Sequence, residues 1–247
     1  MNGWLALLGG GEFTFGETEE ADRAWLEKCP AGPIGFLPAA SGSIDYGKHF
    51  TVYMQEAFAR EVEIIPVYRD RDARRGRNCE RIRDCAAIYL GGGVADHLIE
   101  ALAGSPAREA LATKLESGGV VVAIAAAAQA CGVEVRSVTG GRLIPGLGLL
   151  PGAVIEANFD PGHDRRLRKL LEGTAGAFGL GIPAGGALLL GPAGTFEAVG
   201  TVFRLTGSEG DLEPLVDDIS NGGDDGNGGD GGDGGRGGES DGAFRAD

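Results

Sequence analysis

The chain has 247 residues and a mass of 25.3 kDa, enough for one compact domain with a substantial core or for two small ones. Hydrophobic residues make up 43% and aromatics 6%, which excludes wholesale disorder and calls for a core built from Ala, Val, Leu and Ile. Lys and Arg number 22 against 36 Asp and Glu, and a net charge of -14 suits neither nucleic acid nor anionic lipid, since both need a positive field.

The first apolar run, Trp4 to Leu8, follows no basic segment and stops at Gly9-Gly10-Gly11, so it reads as a strand and not as a signal peptide. Further strands are predicted at Ile34–Leu37, Val62–Val67, Ala87–Leu90 and Val120–Ile124. These runs are continuous and not alternating, as strands covered on both faces require. Between them, Lys48 to Ala59 places Phe50, Tyr53, Met54 and Phe58 on one helical face. Val94 to Ala103 is a second helix, and Ser105-Pro106 caps a third that runs to Glu116. The alternation predicts right-handed βαβ crossovers: a doubly wound α/β fold with a mainly parallel sheet.

The last third differs. Val154–Glu156 is a short strand and Asp164–Leu171 a helix with Leu167, Leu170 and Leu171 inward. Ala177–Ile182, Ala187–Leu190 and Thr195–Leu205 then read as a β-hairpin region closing the sheet edge. The domain is expected to end near residue 207. From Asn221 onward the sequence holds twelve glycines and seven acidic residues against two arginines, and 208–247 reads as a disordered acidic tail. No apolar run approaches the ~18 residues of a membrane span. Cys29, Cys79, Cys85 and Cys131 form no CxxC pair and only three histidines exist, so neither a metal site nor a disulfide framework is expected, and a reducing cytoplasm is the simplest compartment.

Open α/β sheets carry ligands at the C-terminal strand ends. Gly9-Gly10-Gly11-Glu12 and Gly91-Gly92-Gly93 both follow strands directly, where glycine lets the backbone approach a ligand and present N–H groups to a negative oxygen. Neither fits a dinucleotide or P-loop pattern, and no cofactor is expected. Val120–Ile124 runs into a helix of small residues, as in a nucleophile elbow, but Ala123 to Ala130 contains no Ser, Cys or Thr. The interleaved charges of Arg69–Arg83 read as a self-paired helix face.

Together, LGGGE after the first strand, FLPAASG after the second, LGGGVADHLIEAL after the fourth, GLGLLPGAVIEANFD before RRLRKLL, and the closing GLGIPAGGALLLGPAGTFEAVGTVFRL resemble the dipeptidase E / cyanophycinase family of serine peptidases. The resemblance runs from about Leu5 to Leu205 and implies a class I glutamine amidotransferase-like, flavodoxin-like fold. It also implies a catalytic triad, and there the chain departs from the pattern. The family's GxSAGA elbow falls on Ala123–Ala128, with Ala125 in the nucleophile slot. Its VDxHF segment falls on Ile155–Phe159, with Asn158 in the histidine slot. Its acidic member falls in Thr139–Leu143, which holds no carboxylate.

Alanine carries no nucleophile, and an amide takes up no proton near neutral pH. What remains is an oxyanion pocket formed by backbone N–H groups of Gly92 or Gly93 and of Ala126. Glu12, Asp96, His97 and His163 are candidate ligand contacts beside it. Cys131 reads as a buried hydrophobe. With no chemistry to require it, the strained apex at Ala125 is free to relax into an ordinary turn. The resemblance therefore implies a non-catalytic homologue that binds a small acidic peptide or amino-acid derivative, and a homodimer is compatible with it. Two alternatives stand beside it: an active hydrolase of the same family with another nucleophile, and an interaction protein acting through its surface and acidic tail.

Overall fold

The computed structural model describes residues 1–215. Five strands, β1 (Trp4–Leu8), β2 (Ile34–Leu37), β3 (Val62–Ile64), β4 (Ala87–Leu90) and β5 (Val120–Ile124), form the parallel part of the main sheet. They alternate with α1 (Glu19–Glu27), α2 (Ile44–Phe58), α3 (Asp70–Ala73), α4 (Gly76–Asp84), α5 (Ala95–Leu102) and α6 (Pro106–Glu116), and a short α7 (Ala126–Ala130) follows β5. The second half comprises β6 (Glu134–Arg136), β7 (Leu143–Pro145), β8 (Ala153–Ala157), α8 (Arg165–Gly173), β9 (Phe178–Ile182), β10 (Ala187–Leu190), β11 (Phe196–Val199), β12 (Val202–Thr206) and β13 (Leu212–Leu215).

The main sheet has the order β11-β10-β1-β5-β4-β2-β3, with β10 and β11 antiparallel additions. Successive side chains of β1 and β5 enter opposite cores. Leu5, Leu7, Val121 and Ala123 pack with Leu98 and Leu102 of α5, Leu111 of α6 and Ala127 of α7. Ala6, Leu8, Val122 and Ile124 pack with Trp25 of α1 and Phe50 and Met54 of α2. Both faces are thus covered, which is why the strands are continuous apolar runs. Aromatic residues concentrate on the second face, where the Phe50 and Tyr89 ring centroids lie 4.2 Å apart.

A second sheet, β13-β12-β9-β8, is parallel at β8–β9 and antiparallel elsewhere. Helix α8 covers it, burying Leu167, Leu170 and Leu171 against Val154 and Leu205. Among the described residues no helix is long and apolar enough to cross a membrane.

Several expected boundaries move. The strand expected to reach Val67 stops at Ile64, because its partner β2 ends at Leu37 before a proline and Pro66 has no N–H to donate. Helix α2 begins four residues early, at Ile44, capped by Ser43, whose Oγ accepts from the Tyr46 N–H. The cap at Ser105 falls where the sequence places it, its Oγ accepting from the Arg108 N–H. The expected hairpin region is divided between the sheets: the chain turns at Gly200, φ 67°, leaving β11 in the main sheet and sending β12 to the second. The fold also continues past residue 207, since β13 pairs with β12 in the register Leu205↔Leu212 to Val202↔Leu215. Of the expected tail, 208–215 therefore belongs to the fold, and the reading of 216–247 as disordered lies outside the described residues.

Candidate functional site

The C-terminal ends of β1, β4 and β5 meet where the strand order changes direction, the place where open α/β sheets form a crevice. At the end of β5 the backbone turns through Ala125 at φ 53°, ψ -117° and enters α7 at Ala126. An L-residue in such a sparsely populated region costs about 1–3 kcal/mol. The apex, free to relax in the absence of a nucleophile, has not done so: the strained elbow is present without a hydroxyl on it. Its surroundings hold it. The Ala125 N–H donates to Leu8 O at 2.9 Å, its carbonyl accepts from Gln129 N–H at 3.1 Å, and Ala127 and Ala128 are fully buried beneath it. Small side chains at these positions permit the close strand–helix approach.

Asn158 follows β8 and also has positive φ, 51°. Its N–H donates to Gly9 O at 2.7 Å. Leu8 and Gly9 are consecutive, so two adjacent carbonyls at the end of β1 hold Ala125 on one side and Asn158 on the other. The first glycine loop explains itself here. Gly10 has φ 138°, and a Cβ on it would overlap the Asn158 amide, with Nδ2 only 2.9 Å away. Any side chain at position 10 would push Asn158 out of place.

The second glycine loop borders the apex. A Cβ on Gly92 would lie 3.7 Å from the Ala125 methyl and 3.6 Å from Ile124 O, so Gly92 is its neighbour. Gly93, φ 148°, passes so close to the loop after β2 that a Cβ would stand 2.6 Å from Ser41 N. Gly92, Gly93 and Ala126 are thus brought around Ala125 as the resemblance implies. The structure adds Tyr46, a half-buried residue at the start of α2. Burial pushes its phenol up to about 12, and a hydrogen bond from the Gly92 backbone opposes part of that rise. The sequence points to the loop from Ala39 to Tyr46 as one to inspect but singles out no role for Tyr46, and the Ser43 cap is the signal that places Tyr46 in the helix start.

The other candidates fare differently. Asp96 is buried and turned away from solvent, so it is not available as a ligand contact. Its carboxylate accepts from Ser137 Oγ and from the Val138 N–H at 3.1 Å, anchoring the loop between β6 and β7 to α5. Burial acts against its charge, but hydrogen bonds from Ser137, Val138 and Thr139 outweigh that and hold it below the usual carboxylate range. Glu12 is exposed and serves as a cap, Oε1 accepting from Thr14 Oγ1 at 3.0 Å, while its own N–H donates to Glu17 Oε2. His97 is an exposed residue of α5. His163 is exposed and pairs with Asp160, Nδ1 to Oδ2 at 2.6 Å, within the turn that follows Asn158. Cys131 is fully buried, and burial pushes its thiol up to about 12, so it supplies no thiolate. Among the described residues no group of three His, Cys, Asp or Glu could hold a metal ion.

A family model described as Peptidase family S51 matches residues 5–192, most of the chain and every part of this site. The chain belongs to peptidase family S51. No curated protein matches the S51 chain. Among solved structures, it is similar to a peptidase from an acI-B1 Actinobacterium, with TM-score 0.69 and 20% identity over 88% of this chain and 96% of that one. It is also similar to a putative peptidase E protein from Listeria monocytogenes EGD-e, with TM-score 0.59 and 16% identity over 83% and 100% respectively. At these identities the likeness establishes the fold, a mainly parallel α/β architecture of the peptidase E type.

Proposed function

We propose that this S51 chain is a non-catalytic member of its family that uses the elbow end of the sheet to bind a short acidic peptide or amino-acid derivative. The observation that carries the reading is Ala125: the backbone keeps the strained geometry of a nucleophile elbow while the side chain is a methyl group. Acyl transfer by a triad needs a nucleophile, a base that accepts its proton and an acid that orients the base. Alanine supplies no nucleophile. The Asn158 amide supplies no base near neutral pH. The loop in which the resemblance places the acid carries Ser137 and Thr139 instead, and both face Asp96. Backbone donors beside the apex remain suited to a carboxylate or carbonyl oxygen. Positive charge at the rim comes from Arg165 and Arg166, exposed at the start of α8 just beyond the Asn158 loop.

The test is hydrolysis of Asp-containing dipeptides and of β-aspartyl-arginine polymer, with the natural chain beside an Ala125→Ser/Asn158→His double variant, and calorimetric titration of the same peptides. Stoichiometric binding without turnover in the natural chain is expected. Turnover by the natural chain, mapped to one covalently labelled residue, would replace this reading with that of an active hydrolase. Absence of binding by every peptide would remove the ligand class.

A further inference from the structure

The chain is strongly acidic, yet one surface is not. Helix α8 exposes Arg165, Arg166 and Lys169 around its outer side, with Glu172 at its far end. Arg136, exposed on β6, adds its charge beside Arg166 at the half-buried Glu156. Among the described residues, neither Arg165 nor Lys169 takes part in an ion pair, and Arg166 has only a 3.8 Å approach to Glu156. By contrast, Arg74 at the end of α3 and Arg81 of α4 pair closely, with Asp70 at 2.8 Å and Glu63 at 2.5 Å.

The sequence beyond the described residues supplies them. Residues 216–247 hold nine Asp and Glu against two Arg, so they carry half of the chain's net charge. Where that segment begins is equally informative. Leu215 pairs with Val202, and the next residue of β12, Phe203, pairs with Gly181 of β9. The chain therefore leaves the second sheet at the end where β8 and β9 finish, which is also the end where α8 begins. β13 and β8 are the two edges of this four-stranded sheet, so the exit lies about 15 Å from β8. Helix α8 itself is about 14 Å long, and at ~3.3 Å per extended residue the segment has ample length to lie along it. At the other end of the sheet the β12–β13 turn touches the same helix: Arg168, paired with Asp164 at 2.8 Å, also donates from Nη1 to Ser208 O and Gly210 O, both at 2.8 Å.

We infer that the acidic C-terminal segment, residues 216–247, docks in cis on the basic face of α8 formed by Arg165, Arg166 and Lys169. Tethering places its carboxylates near the helix at millimolar effective concentration, so ion pairs too weak to hold a separate peptide suffice. The inference stands on charge and chain path, and does not depend on whether the elbow binds a ligand.

Carbodiimide coupling of the full-length chain tests it. The reagent condenses a carboxylate with an amine to an amide with loss of water, and peptide mass spectrometry maps the joined residues. Lys169 is expected to couple to peptides from 216–247 at least ~10-fold more than Lys48, an exposed lysine on α2. The excess should vanish in the Arg165→Glu/Arg166→Glu variant. It should vanish equally in the natural chain at 1 M salt, where the Debye length is ~3 Å, an arm that needs no mutation. Equal coupling to Lys48 and Lys169 would overturn the inference. So would coupling that proves intermolecular in a mixture of isotope-labelled and unlabelled chains.

Discussion

Replacing Ala125 by glycine should stabilise the protein, the opposite of what glycine does almost everywhere else. At φ 53°, ψ -117° the alanine pays about 1–3 kcal/mol that glycine does not. Against this stand two losses. The half-exposed methyl contributes roughly 0.4 kcal/mol, half the value of a fully buried one. The greater freedom of glycine in the unfolded chain costs about 0.4–1 kcal/mol. The balance is a gain of about 1 kcal/mol, or ~2–4 °C in Tm for a domain of this size. Ala127, two residues on, is the control. It is fully buried in α7 with no positive φ, so Ala127→Gly forfeits helix propensity and a buried methyl, about 2 kcal/mol in all. The two variants should therefore differ by ~3 kcal/mol in urea denaturation at equal m-value. If Ala125→Gly is as damaging as Ala127→Gly, the apex is relaxed in solution and the retained-elbow argument fails.

The remaining predictions concern the aromatic face and the glycine loop. The Tyr89 hydroxyl is buried with no hydrogen-bond partner among the described residues, so Tyr89→Phe should raise stability by ~1 kcal/mol or more; a loss would reveal a hidden internal partner such as a water. Asp22 is fully buried, and burial pushes its carboxyl up to about 6 despite hydrogen bonds from Trp25, Thr18 and Tyr53. Its folded pKa lies above its unfolded one, so its contribution is complete below about pH 3 and is lost as pH rises through about 6. The pH 4 to pH 7.5 change in unfolding free energy should therefore differ by about 2.5 kcal/mol between the natural chain and Asp22→Asn, and parallel profiles would contradict the shift. Gly10→Ala should destabilise by about 2 kcal/mol through its positive φ and the overlap with Asn158. In an Ala125→Ser/Asn158→His background it should also remove any restored turnover, and unchanged turnover would mean that position 158 is not held by the β1 loop.

How far the fold was legible depended on where each element finds its partners. Val120–Ile124 and Ala87–Leu90 are buried on both faces, so their apolar runs announce them without knowledge of the neighbours. The Ser105-Pro106 cap is local chemistry and sits where the residues place it. β13 was not legible: Leu212-Glu213-Pro214-Leu215 contains a proline and half-exposed leucines, and only its pairing with β12 makes it a strand. The division of 187–206 between two sheets was likewise hidden, because Gly200 marks a turn but not the sheet in which the chain continues. At the site, the Ala125 apex and the Gly92 border are what the family resemblance implies, whereas residues 123–130 by themselves read as a plain strand-to-helix turn. Asp96 was misread because a carboxylate after a glycine loop looks available until Ser137 and Val138 arrive from forty residues away. Tyr46 was singled out for no role because its place in the helix start rests on a helix boundary, which is the least determinate feature of any sequence pattern.

The central position of β1 has a consequence for synthesis. Its two neighbours are β5, which ends at Ile124, and β10, which ends at Leu190. β1 therefore waits longest in sequence for its second neighbour: one of its edges stays open until about 180 further residues have been made. β1 is apolar throughout and carries no proline to blunt that edge. At elongation rates of ~5–20 residues per second the exposure lasts about ten seconds or longer, so the nascent chain, more than the finished protein, is the state in which aggregation or chaperone capture is decided.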